Sequence, residues 1–184
     1  ILIIMVAAVA TALVAGMDPV TFLSTMGKSF VSNRSMLIFI MTFVITGTLE
    51  RNGLKQAAAA LMAKFKGATA GLVIAAYGVF RLIFAAFNVG FGGVAGFVRP
   101  VIMPMAQAAV EEDGQPIAEE QLEQIKGMAA GMENVTWFFG QVLFVGGSGG
   151  LLVQSTLANL GYNIELIDIA ATEVPVAVIA TLVA

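Results

Sequence analysis

Two glycine-rich segments of this sequence carry residue types that can bind a small solute. The first is Asn88-Val-Gly-Phe-Gly-Gly-Val-Ala-Gly96, and the second is Gly146-Gly-Ser-Gly-Gly150. Because each glycine weakens a helix by about 1 kcal/mol relative to alanine, the sequence predicts that helices are interrupted at both places. Unwound backbone offers carbonyl groups to a cation, and the helix N-terminus that follows offers amides to an anion.

We therefore predict one substrate and ion site built from both segments. Arg99 is included because an arginine within an apolar segment can face a substrate carboxylate. The oxygen atoms of Asn88 and Ser148 are candidate ligands for a coupling Na⁺, and no other cofactor is expected. The predicted site comprises Asn88, Gly90, Gly92, Gly93, Arg99, Gly146, Gly147, Ser148, Gly149 and Gln154.

A structural role is the alternative for both glycine segments. Glycines within membrane helices also allow two helices to pack closely, without any ligand. Two such segments, each beside amide or hydroxyl side chains, favour the binding site over packing alone. In lipid, unwound backbone persists only where it is buried in protein or lines a cavity, and paired interruptions are typical of secondary-transporter sites.

The composition argues against an enzyme. The chain has no cysteine and no histidine, which removes thiolate chemistry and the usual imidazole base. Gly146-Gly-Ser-Gly149 matches the Gly-x-Ser-Gly form of intramembrane serine proteases, but no histidine is present to take the serine proton. We predict no catalytic residues. A net charge of -3 also gives no basic surface for nucleic acid.

The elements that hold these segments are predicted to lie in a lipid bilayer. Of the 184 residues, 59% are apolar and 11% are charged, whereas soluble domains carry roughly 25% charged residues. The sequence predicts an all-α, multi-pass integral membrane protein. The first apolar segment lacks an initiating methionine, so we expect the natural chain to begin upstream; a signal peptide is the alternative for this segment.

The apolar pattern divides the chain into three regions. Residues 1–66 are predicted to form a scaffold of membrane spans and interfacial helices. Their clearest element is an amphipathic helix over residues 50–66, with an apolar stripe of Leu54, Ala58, Leu61 and Phe65. Its basic residues place this helix on the cytoplasmic side.

Residues 67–160 are the predicted transport region. They comprise a re-entrant hairpin over residues 67–110, an acidic loop with a short helix over residues 111–133, and a discontinuous transmembrane helix over residues 134–160. The last region, residues 161–184, is predicted to be a loop marked by Glu165, Asp168 and Glu173, followed by a final span that the chain end truncates.

Several blocks of the sequence resemble a family of small bacterial membrane proteins that was long described as a domain of unknown function. The blocks are Glu50-Arg-Asn-Gly-Leu54, Lys66-Gly-Ala-Thr-Ala-Gly71, Phe97-Val-Arg-Pro-Val-Ile-Met-Pro104, and Asn134 to Gln141 followed by Gly146-Gly-Ser-Gly-Gly150. The resemblance implies a bacterial inner-membrane protein encoded beside a second, larger membrane subunit. Some such pairs are associated with 5-oxoproline uptake.

That family is in turn similar to one half of the ion-transporter superfamily, which includes divalent anion/sodium symporters. Those proteins contain two inverted repeats, each with an interfacial helix, a re-entrant hairpin and a broken helix, and they use an elevator mechanism. The predicted order of elements here matches one such repeat. At the hairpin tip, however, the symporters carry Ser-Asn-Thr where this chain has Phe87-Asn88-Val89, so only the asparagine carries over.

The resemblance implies that the chain is one subunit of a secondary active, ion-coupled symporter for a small organic anion, such as a carboxylate or 5-oxoproline. A second membrane subunit is expected to supply the other repeat within a heteromeric complex of higher order. The alternatives are a channel and a structural membrane subunit without its own transport site. Gradient-coupled, saturable uptake would distinguish the carrier from a channel, which would give large unitary currents.

Overall fold

The computed structural model of the protein describes residues 2–32, 34, 37–65, 67–111 and 116–184, except for the side chains at positions 38 and 39. Its described residues form helices and connecting turns without any β-strand, which confirms the all-α prediction. The chain separates into two compact units, Ile1–Leu37 and Ile38–Ala184. Each unit is described below by itself.

The first unit contains helices α1, Leu2–Val14, and α2, Pro19–Ser32. Asp18 begins α2: its Oδ1 atom accepts hydrogen bonds from the backbone N–H groups of Val20 and Thr21, both at 3.0 Å. Hydrogen bonding by Thr21 lowers the pKa of the Asp18 carboxyl group. Pro19 supplies a fixed φ at the first helical position, which favours the start of a helix there.

Apart from its first residue, helix α3, Leu37–Arg51, belongs to the second unit. It is followed by α4, Leu54–Met62, which continues as a 3₁₀ turn over Ala63–Phe65. Gly53 separates α3 from α4 in the left-handed conformation, with φ of 90°, which glycine adopts without steric cost. The interfacial helix predicted over residues 50–66 is therefore divided at this glycine, and position 66 lies outside the described residues. Of the predicted stripe, Ala58 is buried, whereas Leu61 and Phe65 are exposed.

A helix, a non-helical stretch and a second helix follow. Helix α5, Ala70–Ala86, begins at Thr69, whose side chain accepts a hydrogen bond from the N–H of Leu72 at 3.3 Å. After residues 87–93 the chain forms a π-helix, Val94–Ile102, that runs into α6, Met103–Ala108. Pro100 lies inside the π-helix, and its missing N–H group accounts for the departure from regular α-helical hydrogen bonding.

The last three helices are α7, Glu119–Gln141, α8, Ser148–Asn159, and α9, Leu166–Val183. Helix α7 starts within the predicted acidic loop of residues 111–133, of which positions 112–115 lie outside the described residues. The predicted boundary at Asn134 followed the end of the charged residues, but Glu119 and Glu120 are favourable in a first helical turn. Helix α9 likewise includes Asp168 and Glu173, which the sequence assigned to a loop.

The buried core of the second unit lies between α5, the π-helix, α6 and α7. Aromatic rings fill it: the Phe91 centroid lies 5.4 Å from that of Phe80 and 5.1 Å from that of Phe97. Helices α5 and α7 approach closely through small residues. A Cβ atom at Gly140 would lie 2.5 Å from the Cβ of Ala85, so only glycine fits there without a shift.

Much of the apolar surface of the second unit is exposed. Ile40 on α3, Val79 on α5 and Ile179 on α9 are more than half exposed, and many neighbouring aliphatic side chains share this exposure. Within the described residues, one helix, α9, is both long and apolar enough to cross a membrane, with a mean hydropathy of 2.0. Helices α1 and α5 are apolar but shorter.

Candidate functional site

The two helix interruptions, residues 87–93 and residues 142–147, open into the same cavity. Its volume is about 470 Å³. The first interruption contributes Asn88, and the remaining lining residues come from the end of α7, the second interruption, α8 and α9. These are Gln141, Val142, Phe144, Gly147, Ser148, Gly149, Gly150, Val153, Ile169 and Glu173.

The side chains of Asn88, Gln141, Ser148 and Glu173 give this cavity its polar character. None of them makes a hydrogen bond or ion pair with another described residue. Asn88, Gln141 and Glu173 are half-buried, while Ser148 is exposed at the cavity. Half-buried polar groups without protein partners remain free to bind water or a solute.

The start of helix α8 forms one wall of the cavity. Gly147, Ser148, Gly149 and Gly150 all line it, and no side chain caps this helix end. The first-turn amide groups of a helix lack partners within the helix, and the helix dipole places partial positive charge there. This wall is therefore suited to a carboxylate or another small anion.

Asn88 also ends helix α5. Its φ of 56° is left-handed, and the N–H of Val89 donates to the carbonyl of Phe84 at 2.9 Å. The N–H of Asn88 donates to the carbonyl of Ala85 at 2.8 Å, which completes the hydrogen-bond pair that terminates many helices. Asparagine tolerates the left-handed conformation better than most residues, so this position has a backbone role in addition to its place in the cavity.

A buried ionic cluster fixes the first interruption to helix α7. Arg81 Nε lies 2.8 Å from Glu133 Oε2, and Tyr77 donates a hydrogen bond to the same oxygen. Arg81 Nη1 donates to the carbonyl of Val89 at 3.0 Å, and its guanidinium lies 4.2 Å from the ring centroid of Trp137. The cluster thus satisfies a carbonyl that the interruption leaves without a helical partner.

Four residues of the predicted site line the cavity, namely Asn88, Gly147, Ser148 and Gly149. The second interruption lies at residues 142–147, slightly before the glycine cluster, and Ser148 to Gly150 form the first turn of α8. Gly146 is buried and does not line the cavity. Gln154 lies further along α8, where its Nε2 donates to the carbonyl of Ile164 at 2.9 Å.

The other predicted residues lie in different surroundings. Arg99 is exposed on the π-helix and does not line the cavity. Gly90, Gly92 and Gly93 lie close to charged side chains instead. A Cβ atom at Gly90 would lie 3.8 Å from Glu50 Oε1, and one at Gly92 would lie 3.3 Å from Lys55 Nζ. A Cβ atom at Gly93 would lie 3.9 Å from Glu133 Oε1.

Two polar residues of the cavity, Gln141 and Glu173, were absent from the predicted site, and so was the whole ionic cluster of Tyr77, Arg81, Glu133 and Trp137. Gln141 is the last residue of α7, and Glu173 lies in the first part of α9, which the sequence assigned to a loop before the final span. A usable signal existed for the cluster: Tyr77 and Arg81, like Glu133 and Trp137, are four residues apart and share a helix face.

The fold and the cavity define an all-helical protein in which two interrupted helices meet at one polar site. The family model described as "Protein of unknown function (DUF969)" matches residues 1–184, and the chain belongs to this family. Searches among curated proteins and among solved structures found no match. The family match agrees with the resemblance to an uncharacterised family, and the link to the ion-transporter superfamily stays a prediction.

Proposed function

We propose that this chain is a membrane subunit of a secondary active carrier for a small organic anion, and that the cavity is its substrate site. The observation that carries the proposal is the meeting of both helix interruptions at one polar cavity. The cavity volume of about 470 Å³ falls within the range of about 300–1,000 Å³ that is usual for small-molecule sites. Paired helix interruptions at a central site are the common design of secondary transporters.

The chemistry of the lining favours a carboxylate that also carries an amide. The uncapped start of α8 can hold the carboxylate, and the side-chain amides of Asn88 and Gln141 can each donate and accept hydrogen bonds. 5-Oxoproline has both groups, a carboxylate and a lactam amide. This match supports it as the first substrate to test.

Placement as a multi-pass protein of the bacterial inner membrane is part of the same proposal. Exposed apolar side chains cover α3, α5 and α9, and α9 has the length and hydropathy of a membrane span. Water cannot solvate such surfaces favourably, whereas lipid or a neighbouring membrane subunit can cover them. The composition, with 59% apolar residues, supports the same placement.

A second membrane subunit is proposed to complete the carrier. In the ion-transporter superfamily, which this family resembles, two inverted repeats surround the substrate. The described residues of this chain supply one hairpin-like pair of helices and one interrupted helix, which corresponds to a single repeat. The partner would supply the other repeat, assembled with this chain in a higher oligomer. Alternating access would follow an elevator motion of the cavity-bearing region against a scaffold.

Uptake by the reconstituted complex tests this function. The chain is co-expressed with the larger membrane subunit that the resemblance implies is encoded beside it. The complex is then purified and reconstituted into vesicles that hold an ion gradient. We expect saturable accumulation of radiolabelled 5-oxoproline that requires both subunits and stops when the gradient is removed. Vesicles with either subunit alone are the first control.

A matched pair of variants on helix α7 links uptake to the cavity. Gln141→Leu removes a cavity amide at nearly constant volume, whereas Gln124→Leu makes the same change at an exposed position of the helix. The proposal expects reduced uptake only for Gln141→Leu. Equal uptake by both variants, or large unitary currents in place of gradient-coupled accumulation, would contradict it.

A further inference from the structure

Glu173 is the charged residue among the eleven that line the cavity, and the other ten are neutral. It lies on helix α9, is half-buried, and makes no ion pair with any described residue. No lysine or arginine lines the cavity to balance it. As described, the proposed substrate site therefore contains one acidic side chain and no basic one.

A negative side chain in the substrate cavity opposes the binding of an anion. Like charges repel strongly where protein and lipid reduce the dielectric screening that water provides. Helix α8 can attract the carboxylate of the substrate, but that attraction does not neutralise Glu173. A cation that occupies the cavity together with the anion removes the repulsion.

The other polar side chains of the cavity suit a metal cation of this kind. Glu173 contributes carboxylate oxygens, Asn88 and Gln141 contribute amide oxygens, and Ser148 contributes a hydroxyl. Oxygen atoms of these types are the usual ligands of hard cations. The second interruption also lines the cavity, through Val142, Phe144 and Gly147, and its backbone carbonyl groups are oxygen ligands of the same kind.

We infer that Glu173 is the charged ligand of a Na⁺ site in this cavity, and that Na⁺ bound there permits the organic anion to bind. The inference deepens the proposed function and rests on it for the role of the anion. Because binding equilibria are reciprocal, the anion raises the affinity for Na⁺ by the same factor as Na⁺ raises the affinity for the anion. This coupling would make the carrier a symporter.

Direct Na⁺ binding tests the inference without any organic substrate. The probe is NaCl itself, added to the purified two-subunit complex with choline chloride at equal ionic strength as the reference. We expect Na⁺ to raise the apparent melting temperature of the complex, since ligand binding to the native state raises stability. Unlabelled Na⁺ should also displace bound ²²Na⁺. Glu173→Gln keeps the shape of the side chain and removes its charge. This variant should require about tenfold more Na⁺ to reach half of the maximal rise in melting temperature.

Glu165→Gln is the matched control, because it makes the same chemical change at an exposed position next to α9. It should leave Na⁺ binding unchanged. Co-purification with the partner and an unchanged melting temperature in choline chloride establish that Glu173→Gln folds. The inference is overturned if the Na⁺-dependent melting temperature and ²²Na⁺ binding are the same for wild type and Glu173→Gln. It is also overturned if the affinity for the anion depends on pH but not on the Na⁺ concentration.

The two proposals can fail separately. Uptake of 5-oxoproline that is driven without Na⁺ would end the inference about Glu173 and leave the carrier function intact. Na⁺ binding that depends on Glu173, in a complex that transports no organic anion, would support the cation site and contradict the carrier function.

Discussion

Arg81 and Glu133 form a buried ion pair, with 2.8 Å between Nε and Oε2, that joins helix α5 to helix α7. Both side chains are about 2% exposed. Each of these helices ends at an interruption that opens into the cavity, so the pair holds the two walls of the proposed site at a fixed separation. The carbonyl of Val89, which Arg81 also binds, belongs to the first interruption itself.

Breaking this ion pair from one side should destabilise the protein strongly. Glu133→Gln leaves the Arg81 charge buried without its counterion, and the loss of one partner of a buried pair typically costs about 3–5 kcal/mol. Glu123→Gln on the same helix is the control, because its pair with Lys126 is exposed and pairs of that kind contribute about 0–1 kcal/mol. Thermal unfolding of the purified complex measures both effects, and equal stability of the two variants would contradict the structural role of the pair.

Close packing of α5 against α7 should depend on Gly140. In Gly140→Ala the added methyl group meets Ala85 and lies 3.0 Å from the carbonyl oxygen of Leu82. We therefore expect the free energy of unfolding to fall by about 1–3 kcal/mol. Gly131→Ala, also on α7, has no atom within 4 Å of the new Cβ and should be neutral or stabilising by up to about 1 kcal/mol. Unfolding of both variants gives the comparison, and a tolerated methyl group at Gly140 would show that the helices lie further apart.

The two roles of Asn88 can be separated by a pair of substitutions. Asn88→Gly keeps the left-handed turn and removes the side-chain amide, so stability should be retained while anion affinity falls by about 2–10-fold, the value of one hydrogen bond. Asn88→Ala removes the same amide but adds a backbone cost of about 1–2 kcal/mol. If Asn88→Gly binds the anion as tightly as wild type in equilibrium binding, then Asn88 serves only to end α5.

Filling the cavity from α8 should block binding without harm to the fold. A Cβ at Gly149 meets no atom within 4 Å, so Gly149→Val should fold normally while its side chain takes up cavity volume. We expect anion affinity to fall by about tenfold or more. Gly127→Val on α7, equally open but remote from the cavity lining, controls for the loss of a helical glycine. Equal affinity of the two variants would place the ligand elsewhere.

The helix interruptions could be predicted from the sequence because they depend on local composition. Glycine density near Asn88 and near Ser148 lowers helix propensity regardless of tertiary context, and both helices are interrupted close to these residues. Helix ends were less predictable. The predicted helix starts followed the last charged residue of each polar segment. Because charged residues do not end a helix, α7 and α9 each begin earlier than predicted.

The partners of the site could not be predicted in the same way. Arg81 and Glu133 are 52 positions apart, and only the packing of α5 against α7 brings them together. Glu173 was taken for a loop residue because a charge in an apolar stretch resembles the end of a span. Its place in the cavity depends on how α9 packs against α7 and α8, which no local pattern specifies.

Substrate protection of single cysteines tests the central claim most directly, because the chain has no native cysteine. Asn88→Cys and Ser148→Cys place one thiol at each interruption, and Gly127→Cys provides a control on α7. The rate at which a maleimide modifies each variant in the two-subunit complex is followed by the mass of this chain, with increasing 5-oxoproline. Our account predicts that the substrate slows modification at positions 88 and 148 with the same concentration dependence and leaves position 127 unaffected. Protection at only one interruption, or at neither, would contradict a shared substrate cavity.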